Sequence, residues 1–188
     1  MTDVPVVVRN ARSLAAEAGF GYSSDDQVGR LLSVLAAAVP TRGRILELGT
    51  GAGVGLAWIV YGLGARKDVE LITVEADGDI SALASRQPWP AYVEFVIDEA
   101  VHALPSLGRF DLVFADAQGG KWDRLDLTVK ALRPRGILMV DDMTPQESWS
   151  ADQALRQAEV RQALFTEPSL LAVEVDWATG IMLSTRRA

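Results

Sequence analysis

R-I-L-E-L-G-T-G-A-G-V-G, residues 44–55, joins an apolar run of strand length to a loop with a glycine at every second position. Gly49, Gly51 and Gly53 permit positive φ and a close approach of ligand to backbone. A helical pattern follows at 53–64, and free amides at its start favour a negatively charged group. The unit therefore reads as a buried strand, a tight loop and a helix. The uncharged stretch 48–65 has the length of a membrane span. Its crowded glycines, with Glu47 directly before it, favour the soluble reading instead.

The same alternation continues on either side. The runs 69–75, 92–97, 110–116 and 136–142 add four strands, most of them continuously apolar, as strands covered on both faces are. Helical periodicity lies between them at 77–87, 99–106 and 121–132. Two helices precede the first strand, near 9–19 and 25–39. A last helix near 150–164 leads to 170–175 and 180–185, which D-W-A-T separates too briefly for a crossover helix, so an antiparallel hairpin closes the sheet. The expected fold is a Rossmann-like, doubly wound α/β sheet of seven strands, mostly parallel. It forms one domain over 1–188, with 1–40 as a helical cover and 43–188 as the core.

Composition narrows the functional classes. Of the 188 residues, 49% are hydrophobic and 23% charged, the profile of a soluble globular protein. The net charge of −7 disfavours nucleic acid as a partner. There is no cysteine, so thiolate metal sites and nucleophiles are excluded, and a cytoplasmic location is the expectation. The N-terminus carries no secretory pattern. The single histidine, His102, falls within a helix and offers no credible Ser/His/Asp triad.

In an open parallel sheet, ligands bind outside the carboxyl ends of the strands. Glu47, Glu75, Asp116, Asp141 and Asp142 all stand at such ends. No frame of the glycine loop satisfies the dinucleotide pattern G-x-G-x-x-G, whereas E-x-G-x-G-x-G fits the first motif of S-adenosylmethionine methyltransferases. Glu75 is placed to accept both ribose hydroxyls of an adenosine, or is an exposed acid before a helix capped by Asp77. Asp98 and Glu99 compete to meet the adenine amino group. Asp116, Asp141 and Asp142 repel one another unless protonated or bridged by a cation, and oxygen ligands alone suit Mg²⁺, Mn²⁺ or Ca²⁺.

Together these motifs resemble the catechol and caffeoyl-CoA O-methyltransferase branch of class I methyltransferases, across about residues 20–185. The segments that carry the resemblance are Y-S-S-D-D-Q-V-G-R-L-L (22–32), the glycine loop, V-E-A-D (74–77), F-D-L-V-F-A-D-A with its later lysine, and L-R-P-R-G-I-L-M-V-D-D-M (132–143). The resemblance implies S-adenosylmethionine as cofactor, held by Glu47, Gly49, Thr50, Gly51, Gly53, Glu75, Ala76, Glu99, Ala100 and Asp116. It implies a divalent ion on Asp116, Asp141 and Asp142, with Lys121 as general base beside Asp116. The implied reaction is metal-assisted O-methylation of a small hydroxylated, catechol-like acceptor. Two departures stand out. Asp142 occupies the place of the usual asparagine, and its extra charge either tightens cation binding or signals that the metal is absent. Lys121 is displaced by Q-G-G.

Competing readings are a nicotinamide-dependent oxidoreductase, an RNA methyltransferase on the same fold, and a cofactor-binding module without turnover. By analogy, a homodimer could supply cover for the acceptor. Trp149, in the loop M-T-P-Q-E-S-W-S (143–150), serves either as an aromatic wall of the acceptor pocket or as a staple at the next helix.

Overall fold

A computed structural model describes residues 3–146 and 149–188. Its elements in chain order are α1 (Val6–Glu17), α2 (Asp26–Ala38), β1 (Arg44–Leu48), α3 (Val54–Leu63), β2 (Glu70–Glu75), α4 (Gly78–Ala84) and β3 (Val93–Ile97), followed by α5 (Ala100–Leu107), β4 (Phe110–Ala115), α6 (Leu125–Lys130), β5 (Leu132–Val140), α7 (Ala151–Thr166), β6 (Leu170–Val175) and β7 (Ile181–Arg186). One seven-stranded sheet runs β3-β2-β1-β4-β5-β7-β6. Strands β1 to β5 are parallel, and β7 pairs antiparallel with both β5 and β6.

Side chains alternate across each strand, so each central strand feeds two cores. Ile45, Leu112, Phe114 and Met139 pack beneath α2 and α3. Leu46, Leu48, Val113, Leu138 and Val140 pack beneath α5 and α7. Helix α1 lies over α3 through Val8, Ala11 and Trp58. Helices α2 and α3 approach closely at Gly29, where an added Cβ would stand 2.2 Å from the Trp58 ring. The apolar stretch 48–65 thus becomes the glycine loop and the buried helix α3. Among the described residues, no helix is long and apolar enough to cross a membrane.

The helix expected over 121–132 is shorter, and β5 starts four residues before the expected Gly136. Trp122 and Asp123 donate their amides to the Gln118 carbonyl, and Gly120 donates to that of Asp123. These bonds make a compact turn that keeps 121–124 out of the helix. Arg124 then enters α6 with a positive φ of 61°. Strand β5 absorbs a register shift between Phe110 and Leu112 of its partner, with Arg135 also in the left-handed region.

Candidate functional site

The carboxyl ends of the parallel strands open into a cleft of about 770 Å³. One half is built largely from backbone. Gly49 and Thr50 donate their amides to the Val74 carbonyl at 2.9 and 3.2 Å, which lays the loop across the end of β2. Gly49 has φ 97°, and a Cβ there would lie 2.7 Å from the Asp116 carbonyl oxygen, so a larger residue would lift the loop off β4. At the end of β2, the Glu75 carboxylate accepts from the Gly51 amide at 2.9 Å and from the Asp77 amide at 3.2 Å. One backbone bond per oxygen fixes this carboxylate at the cleft wall and leaves acceptor capacity on both oxygens. Asp77 caps α4 by accepting from Asp79 and Ile80, as the sequence suggested. Ala76, Asp98, Glu99 and Ala100 line the same half.

Two expected cofactor residues lie elsewhere. Glu47 is wholly buried beneath the glycine loop and does not line the cleft. It sits on the strand face that carries Ile45, and its Oε2 accepts a 2.6 Å hydrogen bond from the Thr73 hydroxyl. Thr73 and Thr50 hydroxyls are themselves linked at 2.5 Å. Burial pushes the Glu47 carboxyl up to about 8, against the lowering effect of the Thr73 bond. Gly55 admits this side chain, because a Cβ there would lie 2.4 Å from Glu47 Oε1. Gly53 likewise faces away from the cleft, toward Trp89, and starts α3 in the left-handed conformation.

The other half is built from charged side chains. Lys121 is buried in the turn after β4, and its Nζ donates to the Asp141 carbonyl at 3.1 Å. The same Nζ lies 3.8 Å from Asp116 Oδ1 and 3.9 Å from Asp142 Oδ2. Asp141 turns its carboxylate toward the β6–β7 hairpin. Its Oδ1 accepts from the Asp142 amide at 2.7 Å and from the Thr179 hydroxyl. Burial raises the Asp116 carboxyl well above the ordinary range. Lys121 opposes that shift, while Asp141 and Asp142 add to it. Burial also pushes Asp141 up to about 6, with the Thr179 bond opposing.

The three aspartates were expected to hold a divalent ion. Their oxygens suit Mg²⁺, Mn²⁺ or Ca²⁺ chemically, but the arrangement does not fit. Among the described residues, no three His, Cys, Asp or Glu side chains gather as a metal-binding group. Asp141 is engaged by Thr179 and Asp142, while Lys121 reaches the other two.

The N-terminal segment Phe20–Asp25 lines the cleft, with Phe20 beside Gly51 and Tyr22 exposed. Trp149 and Gln153 also line the cleft. Ser150 and Gln153 form the capping box of α7, so Trp149 reaches the cleft from just before that helix. Glu147 and Ser148, within the loop expected to line the acceptor pocket, lie outside the described residues. His102 is exposed on α5, 3.7 Å from Asp98. Phe20, Gln118, Trp122 and Thr179 line the cleft without having been singled out from sequence. Only the nearness of Gln118 and Trp122 to Lys121 could have pointed to them.

Residues 46–143, more than half of the chain, match the model of a family described as a methyltransferase domain. The chain belongs to the methyltransferase family. A Mycolicibacterium vanbaalenii protein, provisionally named an O-methyltransferase, is 29% identical to it over 185 residues, covering 94% of this chain and 79% of its own length. A catechol O-methyltransferase of Mycobacterium tuberculosis is 32% identical over 124 residues, covering 62% of this chain and 55% of its own. The fold of this methyltransferase is shared with an O-methyltransferase from Bacillus cereus solved in complex with SAH. That likeness has a TM-score of 0.85 at 18% identity and covers 100% of this chain and 93% of the other.

Proposed function

We propose that this methyltransferase transfers the methyl group of S-adenosylmethionine to a hydroxyl oxygen of a small hydroxylated acceptor. The observation that carries this reading is that the glycine loop with Glu75 and the buried Lys121 cluster open on one cleft. The Glu75 carboxylate, held by two backbone amides, is suited to accept both ribose hydroxyls. The bound cofactor supplies an electrophilic methyl: its C–S bond breaks as a C–O bond forms, and S-adenosylhomocysteine leaves. Lys121 faces the acceptor oxygen and orients it, and the hydroxyl proton passes into the Lys121–Asp116–Asp142 cluster. Such positioning, with stabilisation of the developing oxyanion, accounts for most of what the protein must supply in an in-line displacement. Tyr22, Trp122 and Trp149 around the cleft suit a flat, aromatic acceptor, a catechol among them. A divalent ion, expected from the family resemblance, has no part in this scheme because the donors do not fit it.

The test is calorimetric titration of S-adenosylhomocysteine, with NADH as the competing ligand, followed by radiolabelled methyl transfer to a panel of phenols and catechols. Binding of the homocysteine product with NADH silent, and label in an ether product, is the expected result. Silence of the product would remove the cofactor assignment. Binding without label in any hydroxylated acceptor would remove the O-methylation.

A further inference from the structure

The acceptor half of the cleft carries three carboxylates, and each is already engaged. Asp141 is turned aside by the Thr179 hydroxyl and by the Asp142 amide. Asp116 and Asp142 share one neighbour, the Lys121 ammonium, at 3.8 and 3.9 Å. That ammonium is not a surface group that swings in from solvent, because the side chain is only 5% exposed. Its stem is held by the turn in which Trp122 and Asp123 donate to the Gln118 carbonyl. The displacement of the lysine by Q-G-G, an irregularity in sequence, is what builds this turn. Gly120 stands in it with φ 82°, and a Cβ there would lie 2.7 Å from Leu48 Cδ1 and 2.9 Å from Thr128 Oγ1.

A hard divalent ion requires six or more oxygens at about 2.0–2.6 Å. Two of the three candidate oxygen donors instead face an ammonium, and a second cation among them would be repelled by it. We propose that the Lys121 ammonium is the resident cation of the Asp116–Asp141–Asp142 cluster, and that methyl transfer by this protein needs no divalent metal. The inference deepens the proposed function and rests on it. The ammonium takes the electrostatic role of a metal at the acceptor oxygen, stabilising the oxyanion as its proton leaves for a carboxylate. Thr179 is a positioning residue, holding Asp141 away from the other two acids.

The experiment is Mn²⁺ binding followed by electron paramagnetic resonance on metal-stripped full-length protein. Wild type, Lys121→Met and Asp116→Asn are compared, with S-adenosylhomocysteine titrated into each sample. Wild type is expected to leave Mn²⁺ free up to about 1 mM, well above the range of dedicated sites. Lys121→Met, which strips the carboxylates of their cation, is expected to bind Mn²⁺ at least about tenfold more tightly. Micromolar Mn²⁺ binding by wild type that Asp116→Asn abolishes would overturn the inference. So would a Lys121→Met protein that still binds the homocysteine product yet gains no affinity for Mn²⁺. The wild-type measurement stands even where a variant fails to fold. Loss of product binding in wild type would strike the proposed function instead, and is read in the same samples separately from Mn²⁺.

Discussion

The two halves of the cleft are held by different means. Around β1 and β2, backbone amides and glycines set the shape, and the half-buried Glu75 is fixed by two main-chain donors. Around β4, β5 and the C-terminal hairpin, side chains set it, and the buried charges balance one another. A wall of backbone tolerates change in its neighbours because its geometry follows from the sheet. A cluster of buried charges does not, because removing one partner leaves another uncompensated. The cofactor half should therefore respond to substitution through affinity, and the acceptor half through rate.

The largest effect is expected at Lys121. Lys121→Ala removes the cation beside Asp116 and Asp142 and should lower kcat by roughly 10²- to 10³-fold, the range for loss of a group that stabilises a developing oxyanion. Affinity for S-adenosylhomocysteine should change little. An equal loss in both quantities would mean that the two halves are not separable. Glu75→Ala should do the reverse. Losing charge-assisted bonds of about 1.5–3 kcal/mol weakens cofactor binding by roughly 10- to 100-fold. Saturating cofactor should restore most of the rate, as direct measurement of kcat at high S-adenosylmethionine would show.

The same contrast governs what the sequence could convey. The strands were legible because burial on both faces leaves continuous apolar runs. Glu75 and Asp116 were legible because an acid that ends such a run stands at the sheet edge where ligands bind. Glu47 was legible as a strand-end acid but not as a buried one. Its face is set by alternation along β1, where it follows Ile45 under α3 rather than pointing along the strand axis into the cleft. Gly53 belongs to the glycine pattern, yet it serves the helix start against Trp89. Thr179 left no signal at all. It is 38 residues from Asp141 in sequence, and only the antiparallel return of β7 beside β5 brings the two together. Composition and spacing report what one segment does for itself, and pairings across the sheet lie outside them.

The buried acid of the cofactor half predicts a dependence of stability on pH. Glu47 has its carboxyl raised to about 8 in the folded protein. Below the ordinary glutamate value both folded and unfolded states are protonated, so the group costs nothing. As pH rises toward 8, the unfolded chain ionises while the folded one keeps its proton, and stability falls by up to about 1.4 kcal/mol per pH unit. Above the folded value the loss levels off. Urea unfolding at intervals between pH 5 and 9 should show this decline in wild type, shared with Asp116 and, below about 6, with Asp141. Glu47→Gln should flatten the portion between pH 6 and 8, and an unchanged slope there would mean that Glu47 is ionised in the fold.

The smallest expected effect tests whether the acceptor half depends on a hydroxyl that touches no reactant. Thr179→Val keeps the shape of the side chain and deletes the donor to Asp141. A hydrogen bond of about 0.5–1.5 kcal/mol corresponds to a roughly 2- to 10-fold change. If Thr179 only stabilises the hairpin, the loss should appear in the unfolding midpoint, with kcat unchanged. If it holds Asp141 apart from Lys121 and the other acids, kcat should fall while the affinity for S-adenosylhomocysteine stays the same, and Thr179→Ser should recover the rate. Serine restores the hydroxyl without the methyl, so recovery would place the effect in the bond to Asp141 rather than in packing. The acceptor half would then extend from β4 to the last hairpin, and a residue remote in sequence would count among those that set its charge balance.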